Sequence, residues 1–243
     1  MVILIWACAG VILLIGSFIQ RVTGMGLALV ASPFLVLTLG ATTGVQILQV
    51  VGLGVCATSA WILRRDINYR RAGIMLVASV IGLVPGALVA KHLPSSWLSI
   101  VIGAVTLAAL ASSAWLKRSN VFRGTPGVGL AGALSGFMNV TAGVGGPPIV
   151  IYANSTGWPY AEYVATTQLY FVGLNILSLI GRGFPSVSIT SWCVIVAAAA
   201  IGTFVGHKVG SKINEDVAHK AILIVALVGS LATVVRGVVA LRS

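Results

Sequence analysis

The sequence predicts an all-α, polytopic membrane protein made of two inverted-topology repeats, each with a glycine-rich broken or re-entrant helical element plus three spanning helices. Three observations carry that prediction. The chain is 58% hydrophobic and only 8% charged, and its apolar residues gather in long runs. It matches itself at an offset of 119, the distance from Gly24 to Gly143. Each half also holds a glycine cluster, with proline downstream, inside otherwise membrane-grade sequence.

About 20 apolar residues cross a hydrocarbon core, and the elements follow in order. Residues 2–19 form the first apolar run. No basic n-region precedes it and no small-residue cleavage site follows, so it reads as a retained segment rather than a signal peptide. Residues 27–39 are too short to span comfortably. They either fold back on the first run as a re-entrant hairpin or form a broken crossing with it. Residues 44–63, 73–90 and 98–116 are full crossings. The second half repeats the order: residues 127–138 and 147–154 flank a break, and 163–180, 189–206 and 221–239 cross. The repeats divide the chain into 1–120 and 121–243 within one integral membrane domain.

The internal match is ordered. Gly10, Phe18, Gly24, Gly26, Val45, Gln49, Gly54 and Ser59 fall on Gly129, Phe137, Gly143, Gly145, Val164, Gln168, Gly173 and Ser178. One residue further along, Gly82 and Gly86 fall on Gly202 and Gly206. Small residues at this four-residue spacing let helices pack closely.

Loop charges set the orientation. Arg64, Arg65, Arg70 and Arg71 crowd one loop; Lys117, Arg118 and Arg123 a second; Lys208, Lys212 and Lys220 a third. Basic loops belong on the cytoplasmic side, and the nearly uncharged loops holding Lys91 and Arg182 face outward. An odd number of crossings per half satisfies all five loops and inverts the second repeat. The net charge of +11 therefore belongs to segment ends, and no nucleic-acid partner is expected. Cys8, Cys56 and Cys193 lie singly among apolar residues, without metal or disulfide spacing, and read as packing residues. No cofactor is expected. Nor is catalysis, since the chain lacks a His-Glu-x-x-His motif, a carboxylate pair or a Ser–His dyad.

The stretch from Asn139 to Pro148 is the most informative. Its glycines and two prolines cannot continue a helix, and opened backbone survives at membrane depth only inside protein or beside a water-filled cavity. A helix restarting near Pro147 turns its free N–H groups and about half a positive charge toward the break. Such an end binds oxyanions.

Candidate ligands follow from the two breaks. The first supplies Gln20, Arg21, Thr23, Gly24 and Gly26; the second supplies Asn139, Thr141, Gly143, Gly145 and Gly146. Glycines let backbone approach an anion where a Cβ would block it. Arg21 admits two readings: a guanidinium fork for two oxyanion oxygens, or a side chain snorkelling to the interface. Its repeat counterpart is Val140, so a site using it is asymmetric. Gln49 and Gln168, at matched depth in apolar crossings, either donate to substrate or close interhelical hydrogen bonds. Asn175, Tyr152 and Tyr170 rank behind them. Glu162 reads as an exposed helix-start carboxylate, and no sodium site with carboxylates is evident.

The Gly24-Met25-Gly26 break with Pro33 resembles the TauE/SafE family of sulfite exporters. So do Gly143-Val144-Gly145-Gly146-Pro147-Pro148 and Gly82-Leu83-Val84-Pro85-Gly86 leading into Leu93-Pro94. The resemblance covers essentially the whole chain. It implies a multi-pass protein of a prokaryotic cell membrane that exports small sulfur-containing anions such as sulfite or sulfoacetate. Its partners are then a small anion and the lipid bilayer. An anion channel and a non-transporting subunit of a membrane complex remain the alternatives.

Overall fold

The computed structural model describes residues 2–23, 26–115, 124–209 and 215–242, with side chains for all of these except 2–3, 23, 113–115, 124–125 and 215–221. Every regular element among them is helical. The order is α1 (Val2–Thr23), α2 (Leu27–Leu39), α3 (Ala41–Ile62), a 3-10 turn (Arg64–Asp66), α4 (Tyr69–His92) and α5 (Ser95–Trp115). It continues with α6 (Gly124–Ala142), α7 (Gly146–Thr156), α8 (Tyr160–Arg182), α9 (Ile189–Val209) and α10 (Glu215–Arg242). Seven of these, α1, α3, α4, α5, α8, α9 and α10, are long and apolar enough to cross a membrane. Large apolar side chains such as Trp61, Val77, Ile81 and Ile180 are exposed on their outer faces, as suits helices solvated by lipid.

The helices overrun their apolar cores. α2 begins and ends where the hydropathy does, at Leu27 and Leu39. α1 continues past residue 19 through Gln20, Arg21 and Val22 to Thr23, because a polar side chain ends an apolar run without ending helical hydrogen bonding. α6 likewise stays helical through Asn139, Val140 and Thr141 to Ala142. The second break is therefore narrower than the stretch 139–148 and is confined to residues 143–145. α4 is started by Asn68, whose Oδ1 accepts from the Arg71 N–H at 3.0 Å, a standard cap.

Packing pairs the helices in a regular way. α1 lies along α9 and α4 along α6, while α3 packs on α8 and α5 on α10. Gly82 of α4 has no room for a Cβ against the Ala133 carbonyl of α6, and Gly202 of α9 has none against the Leu14 carbonyl of α1. The two glycine pairs that the sequence assigns to close packing are thus buried at backbone-to-backbone contacts.

The same contacts give direction. Gly10 packs on Val194 and Ala198, and Gly206 on Phe18, so α1 and α9 run parallel. Gly132 packs on Met75 and Ala78, and Gly86 on Phe137, so α4 and α6 do too. By contrast, α3 and α8 are antiparallel: Gly52 meets Asn175, while Gln46 Nε2 donates to the carbonyls of Arg182 and Gly183 at 3.2 and 2.9 Å. α5 and α10 are antiparallel as well, with Gly103 on Ser230 and Gly237 on Ser96. α2 turns back along α1, its Leu27 and Ala31 packing on Gly16. α7 starts back along α6, where Ser135 Oγ donates to the Gly145 carbonyl at 2.6 Å.

Candidate functional site

Both interruptions open onto one cavity of about 220 Å³. The first contributes Gln20 and the start of α2, Gly26 to Leu29; the second contributes Asn139 and Gly143 to Pro147. Leu48, Gly52 and Cys56, from the middle of α3, and Phe171 and Asn175, from the middle of α8, form its walls. Most of the lining is apolar. Its polar side chains are the amides of Gln20, Asn139 and Asn175 and the Cys56 thiol, and no Lys, Arg, His, Asp or Glu is among the described lining residues.

The second break is built by accounting for every carbonyl at the end of α6. A helix leaves its last four C=O groups without intrahelical partners, and in lipid none can be left bare. Gly143, at φ +74°, turns the chain out of the helix and returns its N–H to the Asn139 carbonyl at 2.8 Å, a left-handed C-terminal cap that glycine adopts without strain. Gln49 Nε2 donates to that carbonyl too, at 3.0 Å. Arg182 Nη1 donates to the carbonyls of Val140 and Thr141 at 2.9 and 3.2 Å. Ser32 Oγ from α2 donates to the Ala142 carbonyl. Arg182 also reaches the first residue of α3 through Nη2 and the Ala41 carbonyl, at 2.9 Å. A guanidinium is suited to this end of a helix, where the dipole is negative.

The helix starts beyond the breaks are finished differently. α7 opens Gly146-Pro147-Pro148 with no side-chain cap. Its prolines stand where a missing N–H costs least, which leaves the glycine amides as its donors to the cavity. At α2, Gln20 Oε1 accepts from the Leu27 N–H at 3.2 Å. The next two amides, of Ala28 and Leu29, have no intrahelical acceptor by helix geometry, and both residues line the cavity.

Of the sequence-predicted ligands, the cavity brings together Gln20, Gly26, Asn139, Gly143, Gly145 and Gly146. Four others stand apart from its lining. Arg21 points to α9, where Nη2 pairs with His207 Nδ1 at 2.9 Å at an exposed position. Thr141 returns its hydroxyl to the Phe137 carbonyl at 2.7 Å. Gln49, fully buried, braces the break through the Asn139 carbonyl, and Gln168 is buried in α8. Gly24 and the Thr23 side chain lie outside the described residues. Tyr152 and Tyr170 are buried away from the lining, and Glu162 accepts from Asn68 Nδ2 at 2.8 Å and pairs with Arg71 at 3.5 Å.

Two residues matter more here than the sequence suggested. Asn175, ranked behind the glutamines, accepts from Asn139 Nδ2 at 3.2 Å in the cavity wall. Arg182, read only as the charge of an outward loop, straps α6 to α3. A lone arginine at the end of an apolar span beside an otherwise uncharged loop was the available signal.

Seven helices long and apolar enough to cross a membrane, with a cavity lined from both interruptions, define a multi-pass membrane protein of transporter type. The family model of the sulfite exporter TauE/SafE matches residues 8–233. The chain belongs to that family. No curated protein and no solved structure matches it.

Proposed function

We propose that the protein exports a small sulfur-containing anion (sulfite, sulfoacetate or a related sulfonate) across the cell membrane of a prokaryote by alternating access. The anion is held between the starts of α2 and α7. The observation that carries the reading is the convergence of both breaks on one cavity, whose lining holds the first residues of α2 and α7 together with the amide side chains of Gln20, Asn139 and Asn175. Such ends complement an oxyanion in both hydrogen bonding and charge, and a water-poor interior strengthens both.

In this reading residues 1–120 and 121–243 are inverted repeats, with α1–α2 and α6–α7 as their glycine-broken elements. The packing supports it. Counterparts α3 and α8 run antiparallel, as do α5 and α10. The contact of Gly82 with Ala133 recurs as Gly202 with Leu14, and that of Gly86 with Phe137 recurs as Gly206 with Phe18. The cavity lies opposite the middle of α3 and α8 and holds counterparts such as Gln20 and Asn139, Gly26 and Gly145, and Cys56 and Asn175. Inverted repeats with substrate at their interface are the architecture of alternating access. An inside-negative potential favours anion efflux by about 2.3 kcal/mol per charge per 100 mV, so no coupling ion is required.

The test is counterflow. Full-length protein in liposomes loaded with unlabelled sulfite should take up radiolabelled sulfite transiently and saturably. A linear, non-saturating conductance would place the protein with channels. Absence of flux for sulfite and for simple sulfonates would overturn the reading.

A further inference from the structure

Resting on that reading, we infer that the cavity accepts singly charged oxyanions and turns away dianions, with the Asn175 amide as the side-chain donor that meets them. Asn175 is 6% exposed. Its Oδ1 is taken by Asn139 Nδ2, whose second acceptor is Ser178 Oγ at 3.0 Å. Its own Nδ2 has no acceptor among the described residues. That nitrogen lies beside Gly52, 3.2 Å from where a Cβ would stand, and both residues line the cavity. A donor in the wall of a cavity is completed by whatever acceptor occupies that cavity, and an oxyanion offers one.

The charge of the occupant follows from what surrounds it. No ionisable cation is among the described lining residues. The positive potential on the cavity comes from two helix starts, α2 and α7, each equivalent to about half an elementary charge, while Arg182, bound to the last carbonyls of α6, offsets the negative end of that helix. Together the two starts balance roughly one negative charge. A monoanion is thus compensated by fixed dipoles and by the Asn175 and glycine donors. A dianion brings a second charge into an apolar enclosure with nothing opposite it, and an unpaired charge there is heavily penalised. The cavity is also roomier than a bare three-oxygen anion needs, since a site for one water takes about 10–15 Å³ on the same measure. Leu48, Val150, Phe171 and Leu223 supply an apolar wall for a short carbon substituent. Methanesulfonate and hydrogen sulfite meet these terms and sulfate does not; of the anions proposed above, the rule keeps sulfite, as hydrogen sulfite, and the singly charged sulfonates, and drops sulfoacetate.

The test uses full-length protein in liposomes, with methanesulfonate, sulfate and sulfoacetate each competing against radiolabelled sulfite counterflow at neutral pH. Methanesulfonate should compete at least about tenfold more tightly than either dianion, the factor that corresponds to about 1.4 kcal/mol. Equal competition, or preference for a dianion, overturns this inference and leaves the carrier reading standing. If sulfite itself shows no counterflow and no sulfonate is carried, the carrier reading falls and this inference with it. Asn175→Asp keeps an oxygen for Asn139 while replacing the free donor with a carboxylate oxygen, and should lower methanesulfonate competition by at least about tenfold. An Asn175→Asp protein that melts like the parent and competes unchanged removes Asn175 from the site. Should that variant fail to fold, the anion panel on the unmodified protein still decides the charge rule.

Discussion

Gly82 of α4 lies directly on the main-chain carbonyl of Ala133 in α6, with no space between them for even one methyl group. The counterpart of Gly82, Gly202, lies in the same way on Leu14, the residue 119 positions before Ala133. Helices in lipid gain no hydrophobic driving force from meeting each other, so close approach and dispersion must hold them. At these two places the obstruction to a larger residue is backbone, which cannot swing aside.

Gly82→Leu and Gly202→Leu are therefore expected to destabilise the protein to similar extents, by about 3 kcal/mol or more, at or beyond the upper end of ordinary overpacking costs. Gly73→Ala, in α4 but with nothing within 4 Å of its added methyl, should be neutral or stabilising by up to about 1 kcal/mol. Thermal melting of the purified variants in detergent checks both. A Gly82→Leu protein that melts like the parent would mean that α4 and α6 do not meet at this contact.

Arg182 serves the break through three carbonyls, those of Val140, Thr141 and Ala41. Arg182→Gln removes the charge and most of the reach, leaving buried acceptors bare at about 1–3 kcal/mol each. The melting temperature should fall, and the KM for sulfite should rise because the end of α6 no longer fixes where α7 begins. Arg182→Lys keeps a charge but not the planar fork, so its loss should be intermediate. A melting loss with unchanged KM would reduce Arg182 to a purely structural strap.

Much of this was legible in the sequence, and the exceptions have physical causes. The bounds of α2 were readable because glycines flank an apolar run at both ends. The ends of α1 and α6 were not, since Gln20, Arg21 and Asn139 to Thr141 are polar yet compatible with a helix. Gln49 was conspicuous as an amide in an apolar crossing. Its choice of the Asn139 carbonyl over the cavity depends on how α3 meets α6, 90 residues away in sequence. Arg182 was hidden for the same reason: its acceptors belong to α6 and α3, so its local sequence shows only a charge at a span end. Asn175 is hidden likewise, since Gly52, which faces it, stands more than 120 positions earlier in the chain.

Arg21 and Asn139 separate in consequence. Arg21 pairs with His207 away from the cavity, and Arg21→Ala should leave sulfite KM within about twofold, with a stability cost of about 1 kcal/mol or less for an exposed pair. Asn139 lines the cavity and holds Asn175 and Ser178 together. Asn139→Ala should weaken sulfite counterflow at least about tenfold, a loss of roughly 1.4 kcal/mol in binding. Paired counterflow titrations decide. A strong effect at Arg21 with none at Asn139 would move the site to the α1–α9 seam.

Gly143 tests whether the geometry of the break, rather than its mere presence, sets affinity. Its φ of +74° lies where an L side chain is strained, at about 1–2 kcal/mol, and an added Cβ would stand 2.7 Å from Leu48 Cδ2. Leu48 is itself a cavity residue, so relief of that clash displaces the wall or tilts α7. Gly157, at φ +61°, closes the other end of α7 with nothing within 4 Å of where an added Cβ would stand. Gly157→Ala should therefore incur the backbone strain alone, about 1–2 kcal/mol in melting, while its sulfite KM stays at the parental value. Gly143→Ala should lose at least as much stability and also raise KM. If the two alanine variants lose stability equally and neither changes KM, the left-handed turn merely joins two helices, and the start of α7 has no part in holding the anion.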